Sequence, residues 1–125
     1  MTSILIAEGD QDVAKLFAAV FARQNWKVAL TAHAKHAIEA LRGSECYDVV
    51  LVSYDVNGSS GVELTKLVRS LEHRKNTPVV MVTGSGEIDS EALRAGASEV
   101  LHKPIDIYRL IAAVGKYVSG VGHQE

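Results

Sequence analysis

The stretch Tyr47-Asp48-Val49-Val50-Leu51-Val52-Ser53-Tyr54-Asp55 decides the reading of this chain. Its aliphatic run is unbroken, mostly β-branched and bounded by polar residues, the pattern of a strand covered on both faces. Similar short runs stand at Ile4-Leu5-Ile6-Ala7, Val28-Ala29-Leu30, Val79-Val80-Met81-Val82 and Val100-Leu101. Between them the apolar residues take helical spacing. Val13, Leu16, Phe17, Val20 and Phe21 form one wide stripe, Leu64, Leu67, Val68 and Leu71 a second, and Ile107, Leu110, Ile111 and Val114 a third. Ala34, Ala37, Ile38 and Leu41 make a weaker stripe, and the segment from Ile88 to Ala95 is the shortest. Ser60-Gly61-Val62-Glu63 reads as a capping box, Asp106 as an N-cap, and Gly43 and Gly96 as helix stops.

Strict strand–helix alternation predicts an α/β fold: a flavodoxin-like, doubly wound, five-stranded parallel sheet in the order 2-1-3-4-5 with five helices. A length of 125 residues suits one domain, taken as residues 1–118 with a fraying tail at 119–125. With 13 Lys+Arg against 15 Asp+Glu, the net charge of −2 supplies no basic field for nucleic acid. The lone cysteine, Cys46, has no internal disulfide partner. No apolar run approaches the roughly 20 residues of a membrane span, and the N-terminus lacks the pattern of a signal peptide. A cytoplasmic domain is expected, without direct nucleic-acid or membrane contact.

In such a sheet the ligand crevice lies beyond the carboxyl ends of the strands. The residues expected there are Glu8-Gly9-Asp10, Ser53-Tyr54-Asp55, Thr83-Gly84-Ser85 and His102-Lys103-Pro104. Mixed carboxylates, hydroxyls and a lysine suit a small anion or a hard cation, so a small-anion-binding protein is one reading.

From Ser3 to about Val118 these residues resemble a receiver domain of two-component signalling. Ile4-Leu5-Ile6-Ala7-Glu8 is similar to the first strand running into the family's acidic pair, and Tyr47 to Val52 to the strand that leads to its phosphoacceptor. Thr83, Gly96-Ala97-Ser98 and Lys103-Pro104 complete the pattern. The resemblance implies an aspartate that accepts phosphate from a phosphohistidine, an acidic pair that holds Mg²⁺, and a hydroxyl and lysine that sense the phosphoryl group.

Two parts depart from that pattern. Counting five forward from Asp48 and eight back from Gly61 both reach the phosphoacceptor position, and it is Ser53. A serine hydroxyl is a poor nucleophile without an adjacent base, and none is visible in the sequence. Gly9 stands where the second, metal-ligating acid belongs, so the acidic pocket of Glu8, Gly9, Asp10 and Asp55 is degenerate, with Asp10 read as a helix cap. No catalytic residue and no firmly held metal are expected, and Mg²⁺ binds weakly at best, at Glu8 and Asp10; Lys103 is free to pair with Glu8 instead. At the switch positions Thr83 and Lys103 are present, but the family's aromatic is Val100 and the segment from Thr83 to Gly96 is short.

The expectation is a non-enzymatic, stand-alone pseudo-receiver, with no output domain left over in the chain, acting by phosphorylation-independent contact with a sensor kinase or downstream effector. A homodimer through the helix 4–strand 5–helix 5 face is compatible with it. The alternative is a phosphorelay receiver that uses Asp55 or Ser53 as an unusual phosphoacceptor. Structural roles are assigned to the remaining polar features. Thr83 and Ser85 are turn hydroxyls, His33 and His36 a solvated pair, and Cys46 an inert thiol. His73-Arg74-Lys75 reads as cations at a helix C-terminus, and Trp26 and Tyr117 as packing anchors.

Overall fold

The computed structural model describes residues 1–122, with side chains through Val118. Five parallel strands, β1 (Ser3–Ala7), β2 (Lys27–Thr31), β3 (Val49–Ser53), β4 (Val79–Thr83) and β5 (Glu99–His102), form one sheet. They alternate with α1 (Gln11–Ala22), α2 (Ala34–Arg42), α3 (Gly61–Ser70), α4 (Asp89–Ala95) and α5 (Ile107–Gly122). Numbered in this way, the strand order is β2-β1-β3-β4-β5, the doubly wound arrangement expected from the sequence. Of the segment expected as a tail, 119–125, no side chain is described, and residues 123–125 lie outside the described residues.

The unbroken aliphatic runs follow from burial on both faces. Leu5, Ala7, Val50, Val52, Val79 and Met81 meet Leu41 of α2, Leu64 and Val68 of α3 and Ala92 of α4. The alternate residues Ile4, Ile6, Val49, Leu51, Val80 and Val82 meet Phe17 and Phe21 of α1 and Leu110 and Val114 of α5. Each of these valine, leucine, isoleucine, phenylalanine and methionine side chains stabilises the fold by about 1.5–3 kcal/mol relative to exposure. β2 is an edge strand, and its Lys27 and Leu30 are exposed. Trp26 stacks on Phe21 with ring centroids 5.0 Å apart, the packing role expected of it. Tyr117 packs against the same cluster and donates to Glu99 Oε1 at 2.7 Å. Burial, then that hydrogen bond, push the Tyr117 phenol up to about 12.

Side-chain caps set most helix starts. Asp10 accepts from the Asp12 and Val13 N–H groups, Ser60 from Glu63, and Asp106 from Tyr108 and Arg109. Gly96 ends α4 at φ +115°, the left-handed stop expected there. Gly43 ends α2 with φ −75° instead, in extended backbone. The last carbonyls of α2 are taken by Arg74, which is 3% exposed and donates to Leu41, Ala40 and Gly43 at 2.8, 3.2 and 3.0 Å. His73 Nε2 lies 2.9 Å from the same Gly43 carbonyl. His73 and Arg74 are thus cations at a helix C-terminus, as expected, and the helix is α2, because the turn after α3 folds back over it. Arg74 also lies 4.7 Å above the Tyr47 ring. Arg74→Met is expected to destabilise the fold by about 2–4 kcal/mol, since it strips charged donors from buried carbonyls. A urea midpoint shift without a change in slope checks this.

Candidate functional site

β1, β3, β4 and β5 all end at one edge of the sheet, and Glu8, Ser53, Thr83 and Lys103 stand at or just beyond those ends. Glu8 and Ser53 are each only 2% exposed. The Ser53 hydroxyl donates to Glu8 Oε1 in a short hydrogen bond. Lys103 Nζ donates to the same oxygen at 3.0 Å, and the Asp10 N–H to Glu8 Oε2 at 2.9 Å. One carboxylate thus collects a hydroxyl, an ammonium and a backbone amide, from β3, the loop after β5 and the start of α1. Among the described residues no buried side-chain nitrogen or oxygen lacks a partner.

Backbone approach explains the glycines beside the site. A Cβ at Gly61 would run into the Ser53 carbonyl, so the glycine eight positions on lets α3 start against β3. A Cβ at Gly9 would stand 3.0 Å from the Asp55 carbonyl and 3.1 Å from the Asn57 nitrogen. The Gly9 N–H also donates to that Asp55 carbonyl at 3.3 Å. The loop after β3 is therefore held close to the loop after β1. It forms a two-residue hairpin, Asp55–Val56 against Ser59–Ser60, that the periodicity of the sequence did not reveal. Asn57-Gly58 makes its tip, with Gly58 at φ +93°. Asn57 Nδ2 donates to the Gly9 and Ala32 carbonyls, both at 3.0 Å, and ties three loops together.

An open cleft of about 630 Å³ lies beside Glu8 and is lined by Gly9, Asp10, Asp55, Asn57, Ser59 and Lys103 as well. Asp55 is exposed, and Asp10 spends its carboxylate on the α1 cap. No group of three or more His, Cys, Asp or Glu side chains among the described residues is placed to hold a metal ion. Thr83 is 3% exposed, and its hydroxyl turns into its own loop, accepting from Ser85 N at 3.1 Å and donating to Ser85 O at 3.3 Å. Val100 is half-buried against the face that carries α2, α3 and α4. His33 and His36 are both exposed with ring centroids 6.2 Å apart, the solvated pair expected, and His33 Nδ1 in addition caps α2 by accepting from Lys35 N at 3.1 Å. Missed in the sequence was a base beside Ser53: Glu8 is 45 positions away along the chain, and only strand pairing brings the two together.

The chain belongs to the response regulator receiver domain family, whose pattern matches residues 4–115. It is 31% identical over 108 residues to the response regulator protein PilR of Pseudomonas aeruginosa, covering 85% of this chain and 24% of that protein. It is 30% identical over 116 residues to the sensory transduction protein RegX3 of Mycolicibacterium smegmatis, covering 91% of this chain and 49% of that one. The chain thus spans half or less of these relatives' lengths. Among solved structures, the CheY-like response regulator receiver domain protein of Methanospirillum hungatei superposes with a TM-score of 0.89 at 21% identity, over 100% of this chain and 99% of that one. The protein is a receiver domain of two-component signalling, and no described helix is long and apolar enough to cross a membrane.

The Glu8–Lys103 pair is testable by a double-mutant cycle. Lys103→Met alone strands a buried carboxylate and is expected to cost about 1–3 kcal/mol, less than for a fully buried pair because Lys103 is partly solvated. Combined with Glu8→Gln the cost falls well below the sum of the two single changes. Urea unfolding of all four proteins reads the coupling.

Proposed function

We propose that this domain signals as a pseudo-receiver, through phosphorylation-independent contact with a sensor kinase or a downstream effector, and carries out no catalysis. One observation supports this above the others: the serine at the phosphoacceptor position and the lysine at the phosphate-sensing position are both engaged by Glu8. Thr83 is committed to its own turn, so the hydroxyl and lysine contacts that a phosphoryl group would recruit are already made within the protein. Contact with a partner then rests on the fold's standing shape; the α4–β5–α5 face, where Leu93 is 53% exposed, is the candidate surface, for an effector or for a second copy.

The donors do not fit a firm Mg²⁺ site. Gly9 supplies no carboxylate, Glu8 is shared among three donors, and the Asp55 carbonyl accepts from Gly9 N. Hard cations need several free oxygen ligands, so binding is weak. A second reading is favoured by one contact: with Glu8 on its hydroxyl, Ser53 has a base to take its proton and could accept phosphate as a stable ester. Asp55, exposed in the cleft, is the other candidate phosphoacceptor.

Incubation with Mg²⁺ and a small phosphodonor, followed by intact-mass measurement, separates the readings. No phosphate adduct is expected; an adduct mapped to Ser53 or Asp55 overturns the phosphorylation-independent reading. The variant Gly9→Asp/Ser53→Asp is expected to bind Mg²⁺ more tightly than the natural protein. It is also expected to be less stable without the ion, because new carboxylates then face Glu8. The Cβ added at position 9 must push the Asp55–Asn57 backbone outward by a few tenths of an ångström. Thermal unfolding with and without Mg²⁺ tests both statements.

A further inference from the structure

The hairpin tip beside the cleft carries a chemistry that receiver signalling does not use. The chain has three asparagines, Asn25, Asn57 and Asn76, followed by Trp26, Gly58 and Thr77. Only at Asn57 is the next residue a glycine, whose backbone nitrogen has no neighbouring side chain to hinder its approach to the asparagine Cγ. Asn57 and Gly58 are both exposed, and the Gly58 N–H donates to no acceptor among the described residues. Gly58 occupies a left-handed conformation at the tip, and a Cβ there would meet His33 Cε1 at 2.8 Å, so the position demands glycine.

We infer that Asn57 is a site of spontaneous deamidation, and that the modification releases the loops around the cleft. The Gly58 nitrogen loses its proton to solvent base and attacks Cγ of Asn57. The new N–Cγ bond forms, the Cγ–Nδ2 bond breaks, and the nitrogen departs as ammonia. Water then opens the five-membered imide at either carbonyl and leaves aspartate or isoaspartate at position 57.

The consequence follows from what Nδ2 does before it is lost. Both of its hydrogen bonds, to the Gly9 and Ala32 carbonyls, disappear, and an anionic oxygen faces two carbonyl oxygens in their place. A new acidic group also joins Glu8, Asp10 and Asp55 along the cleft. Gly9 N and Ala34 N, which donate to the Asp55 and Asn57 carbonyls at 3.3 and 2.7 Å, report the loosening of the two loops.

The natural protein, held in mildly alkaline buffer at body temperature and sampled over weeks, is digested and mapped by mass spectrometry. The peptide containing Asn57 is expected to gain the mass of NH replaced by O on the order of tenfold faster than those containing Asn25 or Asn76, which lack a following glycine. Asn57→Gln is expected to abolish that gain. Asn57→Asp, which reproduces one product without waiting, is expected to speed hydrogen exchange at Gly9 and Ala34 several-fold and to leave the β3 amides unchanged. A rate at Asn57 no greater than at Asn25 and Asn76 overturns the site. Unchanged exchange at Gly9 and Ala34 in Asn57→Asp overturns its effect on the loops.

Discussion

The carboxylate of Glu8 has almost no access to water, and the protein itself has to solvate it. Transfer of such a charge out of solvent costs several kcal/mol, and charge-assisted hydrogen bonds return about 1.5–3 kcal/mol each. Three donors meet it: the Ser53 hydroxyl, the Lys103 ammonium and the Asp10 amide. Those opposing terms largely cancel, so the cluster adds little net stability. Its effect is on geometry, because the ends of β1, β3 and β5 must stay in one mutual position for Glu8 to keep all three partners. At that edge the ammonium of Lys103 is paired within the protein, with Glu8.

The connections around this edge follow a related rule, in which polar side chains satisfy backbone carbonyls that no secondary structure reaches. Arg74 closes the end of α2 from the turn beyond α3. Arg69 reaches the carbonyls of Gly96, Lys75 and Thr77 at 3.0, 3.1 and 2.6 Å, and its burial lowers the guanidinium pKa from its ordinary value. Asn57 does the same for the carbonyls of Gly9 and Ala32. Buried carbonyls left unpaired would each cost about 1–3 kcal/mol, which is why these long-range staples sit where helices and loops turn back over the sheet.

Much of the fold was legible because its signals are local. β3 and β4 need aliphatic side chains on both faces, and only an unbroken run provides them. The caps at Asp10, Ser60 and Asp106 are read within three residues of the groups they bind. Ser53 could be located by two counts along the chain, and Gly61 proved to be the residue whose missing Cβ lets α3 approach it. The hairpin at Asp55–Ser60 was not legible, since two-residue strands carry no periodicity. Nor was the helix that Arg74 closes, since its partner carbonyl at Leu41 lies 33 positions away along the chain.

The sequence by itself determined the α/β alternation and which residues stand at the carboxyl ends, because periodicity and turn chemistry act between residues a few positions apart; the strand order came from the rule for doubly wound sheets and not from any local signal. Only the tertiary structure decided what those residues do to one another. Lys103 and Glu8 are 95 positions apart and Ser53 and Glu8 are 45, and nothing in the local pattern distinguishes a lysine waiting for a ligand from one already paired. That distinction depends on strand register and loop closure, which place one buried carboxylate within reach of both side chains.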